Sequence, residues 1–229
     1  AGVGNRLSKD RPEPPKVLLR FAGKSLLERH IAHLKRCGVA ELVVGVGYEA
    51  DMISAEIKRL GAEAYVRTVD NPRFRDGSGI TLASLGEEFA CGRDVLLMDG
   101  DVLYDERILR RLIDTRHRNC FLLDRDFEPG DEPVKICVRG GHMVDFHKKV
   151  QGTFDLMGES VGFFRFAPDV AKDILVRCRF HIDNNEPALW YEESIRDVLL
   201  ARPAGTFGYE DVTGLPWIEI DFPDDVQRA

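Results

Sequence analysis

Two aspartates flank a glycine directly after an apolar run: Asp99-Gly100-Asp101 follows residues 95–98. Open α/β sheets bind ligands at the carboxyl ends of their strands, so these carboxylates are predicted to lie at a ligand site. Carboxylate oxygens suit Mg²⁺, which takes one or two of them and completes its shell with water and substrate phosphates. The alternative is a strand-end turn in which the aspartates only satisfy backbone N–H groups.

A second pair of carboxylates lies near the end of the chain, where residues 217–221 read Trp-Ile-Glu-Ile-Asp. Alternation in a strand places Glu219 and Asp221 on one face, together with Trp217. We expect this face to supply a further magnesium ligand. An edge strand facing solvent is the alternative.

A glycine-rich segment with nearby cations lies at the start of the chain, where residues 2–7 read Gly-Val-Gly-Asn-Arg-Leu and Lys16 follows two prolines. Glycines let the backbone approach phosphates closely, and Arg6 and Lys16 could neutralise the same oxygens. The alternative is an ordinary glycine turn beside a surface arginine. The phosphate-binding residues predicted here are Gly2, Val3, Gly4, Asn5, Arg6 and Lys16.

Two aromatic residues precede a carboxylate at Trp190-Tyr191-Glu192. Rings with carboxylates nearby are what a substrate bearing an ammonium group requires. Aromatic residues at helical spacing are also typical of a core. Two lysines around a predicted hairpin are candidates for binding a phosphate. The predicted substrate-binding residues are Lys135, Lys148, Glu159, Trp190, Tyr191, Glu192 and Glu219.

Two other patterns favour structural roles. Gly45 and Gly47 imitate a dinucleotide-binding fingerprint, with Asp70 at a suitable distance, but the segment follows a complete first helix, so close packing of strand and helix explains the glycines better. An NAD-dependent oxidoreductase therefore ranks last. His30 and His33 share a helix face without a third metal ligand, and we expect them at the surface.

Composition limits the function further. The 229 residues carry a formal net charge of −7, which argues against a surface that neutralises nucleic-acid phosphates. Every apolar run is far shorter than the roughly 20 residues needed to cross a bilayer. The five cysteines are scattered and odd in number, which fits reduced thiols in a cytoplasmic protein. No nucleic-acid or membrane partner is expected.

Helical and strand patterns alternate through the first half of the chain. Ser25 and Glu28 form a capping box that opens the first helix. The rhythm predicts an α/β fold whose largely parallel sheet is covered by helices on both faces, in one domain over residues 1–229. The predicted strands are 42–46, 64–68, 94–98, 120–124, 134–138, 143–146, 161–166 and 217–221. The predicted helices are 25–37, 51–60, 81–90, 106–114, 168–178 and 187–200.

The motifs occur in the order seen in the nucleotidyltransferase superfamily, and the chain most resembles its small CTP-dependent members, the bacterial phosphocholine cytidylyltransferases. The resemblance rests on residues 2–7, 15–16, 23–26, 46–48, 84–85, 99–101, 190–192 and 217–221. It implies a Rossmann-like three-layer sandwich with a mostly parallel mixed sheet. It also implies a triphosphate on the glycine loop and Arg6, an α-phosphate on Lys16, Mg²⁺ on Asp101 and Asp221, and a nucleotide near Ser84 and Asp99.

The implied reaction transfers a cytidylyl group from CTP, or from another nucleoside triphosphate, to a small phosphorylated or phosphonate alcohol and releases pyrophosphate. The acceptor would be phosphocholine-like, aminoethylphosphonate or an inositol phosphate. A sugar-1-phosphate nucleotidyltransferase, a metal-dependent glycosyltransferase and a regulatory module stay open. Members of the superfamily begin with an apolar strand before the glycine loop, and we expect that strand to be missing ahead of Ala1.

Overall fold

The computed structural model describes residues 14–128, 130–184, 186 and 190–229. After a 3₁₀ turn at Lys16–Leu18, the first half contains β1 (Arg20–Phe21), β2 (Lys24–Ser25), α1 (Leu26–Arg36), β3 (Leu42–Val46), α2 (Ala50–Arg59), β4 (Val66–Asp70), α3 (Ser78–Ser84), α4 (Gly86–Phe89), β5 (Val95–Met98), β6 (Val102–Tyr104) and α5 (Glu106–Asp114). The second half contains β7 (Cys120–Asp124), β8 (Lys135–Arg139), β9 (His142–His147), β10 (Leu156–Phe166), α6 (Pro168–Asp183), α7 (Tyr191–Ala201), β11 (Gly208–Asp211), β12 (Trp217–Glu219) and α8 (Pro223–Arg228).

The long strand β10 is the common partner of the main sheet. It pairs antiparallel with β5, β7 and β8, while β9 extends the sheet beyond β8 and β11 lies parallel to β7. Smaller pairs join β3 to β4 in parallel and β12 to β6 in antiparallel. The expected α/β class and mixed sheet are confirmed, and antiparallel ladders are the more numerous among the described residues.

The layers follow from the alternation of side chains along the central strands. On β7, Phe121 and Leu123 face one apolar cluster with α6 and α7, whereas Cys120 and Leu122 face another with α5. Successive side chains of a strand point to opposite faces, so a strand that is buried on both sides must carry helices on both sides. This arrangement is the expected three-layer sandwich.

The register of β10 breaks between Ser160 and Phe164 on the side that pairs with β7. Gly162 lies inside this break with φ of +77°, a backbone conformation that favours glycine. The break divides the strand into one segment that pairs with β8 and another that pairs with β5. It therefore changes the course of the strand beside the end of β5.

All residues of the apolar strand β5 are only half-buried. It pairs with β10 along one edge, and the described residues contain no ladder between β5 and β3. Apolar side chains of both strands instead line a cleft of about 1320 Å³. Among the described residues, β5 is thus paired along one side only.

The helix predicted over residues 81–90 is divided into α3 and α4 at Leu85. A Cβ added at Gly86 would lie 2.8 Å from Arg179 and 3.3 Å from Leu175, both on α6. Glycine is a weak helix former, and here it permits α6 to approach closely. Further on, α7 begins at Tyr191, and residues 187–189 of the predicted last helix lie outside the described residues.

Candidate active site

Lys16 joins the two ends of the chain at the mouth of the cleft. Its Nζ donates to Asp101 Oδ2 at 2.9 Å and also to Asp221 Oδ1. Burial opposes a charged lysine, but the two carboxylates outweigh it and raise the pKa of Lys16 above its ordinary value. The predicted cation and two predicted metal ligands are therefore in direct contact.

Three carboxylates converge around this lysine. Ligand oxygens of Asp101, Glu219 and Asp221 all lie within 4.8 Å of one another. The peptide N–H of Ile220 donates to the carbonyl of Asp101 at 2.9 Å, and β12 pairs with β6, so the backbone itself holds the two acidic segments together. Desolvation and the charges of Asp101 and Asp221 raise the pKa of Glu219 to about 8.

This donor set fits a hard divalent cation. Carboxylate oxygens are the ligands that Mg²⁺ prefers, and a positive charge relieves the repulsion between neighbouring carboxylates. Lys16 supplies such a charge in the structure. The residues that sequence patterns proposed as ligands, Asp101 and Asp221, are thus joined by Glu219.

Asp99 lies behind this cluster and makes different contacts. Its Oδ2 accepts a hydrogen bond from the hydroxyl of Tyr191 at 2.8 Å. Burial and nearby carboxylates, Asp101 foremost, raise the pKa of Asp99 well above its ordinary value. A Cβ added at Gly162 would lie 2.3 Å from Asp99 Oδ2, so only glycine leaves room for this carboxyl group. Asp99 links the end of β5 to the start of α7.

His30 was expected at the surface, but the structure shows that it is buried. Its Nε2 lies 3.2 Å from the carbonyl oxygen of Gly100, between the two aspartates. Burial lowers the pKa of His30 to about 4, although the contact with Gly100 partly offsets the shift. The ring is therefore neutral near pH 7, and since a carbonyl only accepts, Nε2 donates.

Glu192 lies in the first turn of α7 and lines the cleft. Its Oε2 is fully buried and has no hydrogen-bond partner among the described residues. Burial raises the pKa of Glu192 to about 7, against opposing contributions from its own backbone N–H and from Lys148. On β10, burial and the charge of Asp124 raise the pKa of Glu159 to about 7 as well.

The two candidate phosphate-binding lysines have unequal surroundings. Lys135 is buried, and its ammonium donates to the carbonyls of Gly130 at 2.7 Å, Pro133 at 3.2 Å and Lys148 at 2.6 Å. These contacts use the three donors of a lysine, so Lys135 ties the loop before β8 to Lys148. The ammonium of Lys148 itself lies 4.9 Å from the centre of the Trp190 ring.

Other predicted residues lie apart from these contacts. Ser84 donates to the carbonyl of Ile80 at 2.9 Å within α3 and is not among the residues lining the cleft, whereas Thr81 of the same helix is. Trp217 donates through Nε1 to Asp124 Oδ2 at 2.7 Å. The predicted phosphate-binding residues Gly2, Val3, Gly4, Asn5 and Arg6 lie outside the described residues.

The dinucleotide-like glycines are both closely packed. A Cβ at Gly45 would lie 2.7 Å from Thr81 Cγ2, and one at Gly47 would lie 2.6 Å from Phe74 Cβ. Contacts this short require glycine at both positions. Close packing of strand and helix is confirmed for Gly45, whereas Gly47 packs against Phe74 in the loop between β4 and α3.

Residues 1–204 match the MobA-like NTP transferase domain. The chain belongs to this family. A CMP-5'-(3-aminopropyl)phosphonate synthase of Streptomyces rubellomurinus is 26% identical over the whole chain and 37% of its own length. A bifunctional IPC transferase and DIPP synthase of Rubrobacter xylanophilus is 30% identical over the whole chain and 49% of its length. The chain thus spans less than half the length of these two relatives.

The NTP transferase fold is also seen in a solved structure of CTP:phosphocholine cytidylyltransferase from Streptococcus pneumoniae. That structure superposes with a TM-score of 0.77 at 21% identity and covers all of this chain and 93% of its own. At this identity the likeness concerns the fold. In the part of the NTP transferase chain that the structure describes, no helix is long and apolar enough to cross a membrane.

Sequence patterns missed Asn71, a buried side chain of this NTP transferase that holds Thr81 in the wall of the cleft. Asn71 is buried and donates through Nδ2 to Thr81 Oγ1 at 2.9 Å, while its Oδ1 accepts from the backbone N–H of Arg73 at 3.0 Å. The Asn71-Pro72 pair directly after β4 is a turn signal that could have indicated this role. No comparable signal marks His30, whose position depends on how α1 crosses the end of β5.

Proposed function

We propose that the chain transfers a cytidylyl group from CTP to a small phosphorylated or phosphonate alcohol and releases pyrophosphate. The convergence of Lys16 with Asp101, Glu219 and Asp221 carries this proposal, because nucleotidyl transfer brings polyanions together and needs positive charge between them. Two of the similar proteins are a CMP-5'-(3-aminopropyl)phosphonate synthase and a CTP:phosphocholine cytidylyltransferase, which supports cytidine as the base.

In the proposed reaction, an oxygen of the acceptor's phosphate or phosphonate attacks the α-phosphorus of CTP in line with the bond to pyrophosphate. Lys16 stabilises the negative charge on the α-phosphate, since its ammonium already lies at the mouth of the cleft. Asp101 and Asp221, with Glu219, would hold Mg²⁺. When bound, that ion supplies neutralisation of the phosphate charges.

The proposed attack requires no general base. A phosphate monoester and a free phosphonate are both ionised near neutral pH, so the attacking oxygen carries no proton that must be removed. What the chain supplies is alignment and charge. Gly2 to Arg6 are assigned to the triphosphate on sequence grounds, so that pyrophosphate leaves towards the glycine loop.

The wall formed by Glu159, Trp190, Tyr191 and Glu192 is assigned to the acceptor. These residues line the cleft on the side of β10 and α7. Lys148 at the rim is the cation best placed to meet the acceptor's phosphate or phosphonate, because Lys135 is engaged by backbone carbonyls.

The proposal is tested by pyrophosphate release with Mg²⁺, each common nucleoside triphosphate in turn, and a panel of acceptors. The panel contains phosphocholine, phosphoethanolamine, 2-aminoethylphosphonate, inositol 1-phosphate and glucose 1-phosphate. We expect release with CTP and an acceptor other than glucose 1-phosphate. Release with glucose 1-phosphate alone would support a sugar-phosphate nucleotidyltransferase instead, and no release under any condition would contradict the proposal.

A further inference from the structure

The acceptor wall contains a polar atom for which the described residues supply no hydrogen-bond partner. Glu192 is one of the residues that line the cleft. Its Oε2 atom is fully buried and has no hydrogen-bond partner among the described residues. A buried carboxylate oxygen without a donor is costly, and such groups in native proteins normally have a partner. The missing donor is therefore expected from the substrate.

The charge around Glu192 indicates which donor fits. Asp99 at the floor of the cleft lies close enough to feel the charge of Glu192. The nearby cation Lys148 is directed elsewhere, with its ammonium 3.3 Å from Glu132 Oε2 and over the ring of Trp190. The surroundings are acidic, so a donor that also carries a positive charge is favoured.

The aromatic rings of this wall are already engaged. One face of the exposed Trp190 ring is occupied by the ammonium of Lys148, 4.9 Å from the ring centre. Tyr191 is buried, with its hydroxyl on Asp99 and its ring packed edge-on against Phe164 at 6.2 Å. A quaternary ammonium has no N–H group and is bound through open aromatic faces, whereas a primary ammonium needs acceptor oxygens.

We propose that the acceptor carries a primary ammonium group, which donates a hydrogen bond to Oε2 of Glu192. This inference rests on the proposed function and specifies its substrate class. A methylated ammonium of the same length would bring its charge into the cleft but leave Oε2 without a donor. A site built to bind an N–H group discriminates strongly against the analogue that lacks it.

The test compares acceptors that differ only in the charged end: phosphoethanolamine, phosphocholine and the neutral 2-hydroxyethyl phosphate. With CTP and Mg²⁺, kcat/KM is expected to be at least about tenfold higher for phosphoethanolamine than for either analogue. Glu192→Gln keeps the shape but removes the charge, and it should lower kcat/KM for phosphoethanolamine by about 10–100-fold while changing that for 2-hydroxyethyl phosphate less than threefold.

Glu193→Gln is the matched control, because Glu193 is adjacent on α7 but its carboxylate contacts His147 at 2.9 Å. It should leave the preference among acceptors unchanged, and circular dichroism should show native spectra for both variants. Equal use of phosphocholine and phosphoethanolamine, or an equal loss for all acceptors in Glu192→Gln, would overturn the inference while leaving cytidylyl transfer intact. Absence of turnover with every acceptor and nucleotide would count against the proposed function, and the inference would fall with it.

Discussion

The two ends of the cleft satisfy their charges in opposite ways. At the mouth, Lys16 bridges Asp101 and Asp221, so opposite charges meet within the protein. At the acceptor wall, Glu192 has a buried carboxylate oxygen for which the described residues supply no partner. In the proposed reaction, the paired charges keep the catalytic groups in position, whereas Glu192 gains its partner when the acceptor binds. The comparison therefore separates groups that drive the reaction from groups that select the substrate.

The largest loss of turnover is expected when the carboxylate of Asp101 is removed. Asp101→Ala should reduce kcat by about 10³-fold or more, because it removes a proposed metal ligand and a partner of Lys16 together. Pyrophosphate release measures the loss, and Asp114→Ala, at an exposed position on α5, serves as the control. A kcat within tenfold of the wild type would contradict the assignment of the mouth to catalysis.

Removing the lysine should have a smaller effect. Lys16→Ala should lower kcat by about 10²–10³-fold, the magnitude typical of losing one electrostatic stabiliser. Its losses should be equal for all acceptors, in contrast to those of Glu192→Gln. Lys24→Ala, at an exposed lysine of β2, is the control. A change confined to one acceptor would place Lys16 among the selecting groups instead.

The preference of the enzyme among acceptors should depend on pH through the carboxyl group of Glu192. The pKa of Glu192 is raised to about 7, so its carboxylate form grows as pH rises through that value. Lys148 and Glu193 are the charged groups that act on it, and Asp99 is a further titratable neighbour. The ratio of kcat/KM for phosphoethanolamine to that for 2-hydroxyethyl phosphate should rise about tenfold between pH 6 and 8. In Glu192→Gln the ratio should no longer change with pH. A ratio that is constant with pH in the wild type would show that ionisation of Glu192 does not set the acceptor preference.

The smallest effect on turnover is expected outside both regions. The buried carboxylate of Glu56 accepts from Ser25, Arg20 and Arg59, and these contacts lower its pKa to about 2, the bond from Arg59 foremost. Since the folded-state pKa lies below the unfolded value, the stabilisation is fully present above about pH 4.5 and is lost as pH falls towards 2.

Glu56→Gln should lower the free energy of unfolding by about 1–3 kcal/mol at pH 7 and by much less near pH 2. Urea titrations at both pH values measure this difference. With the protein still folded at assay temperature, kcat should stay within twofold of the wild type. A large loss of kcat in a folded variant would show that Glu56 contributes to the active site as well as to stability.

Sequence patterns predicted the class of the fold and the carboxylates of the mouth, because both depend on short-range regularities. Alternation placed Glu219 and Asp221 together, and the apolar run before Asp99-Gly100-Asp101 located a strand end. Neither pattern reveals that Lys16 contacts Asp221, a pair separated by 205 positions.

Burial of individual side chains was harder to predict. His30 was expected at the surface, since nothing in the helical pattern of α1 shows that the Asp-Gly-Asp turn packs over it. Likewise, the unpartnered oxygen of Glu192 depends on how α7 packs against the sheet. Such features arise from tertiary packing, which local periodicity does not encode.

Gly162 shows how closely assembly of the sheet and construction of the site are connected. It lies where β10 changes register, and the same missing side chain leaves room for Asp99. Any larger residue would both strain the strand that joins β5, β7 and β8 and displace the carboxyl group that holds Tyr191. A substitution at Gly162 is therefore expected to reduce both stability and activity. Glycine at this position is required twice, once by the backbone of β10 and once by the space that Asp99 occupies.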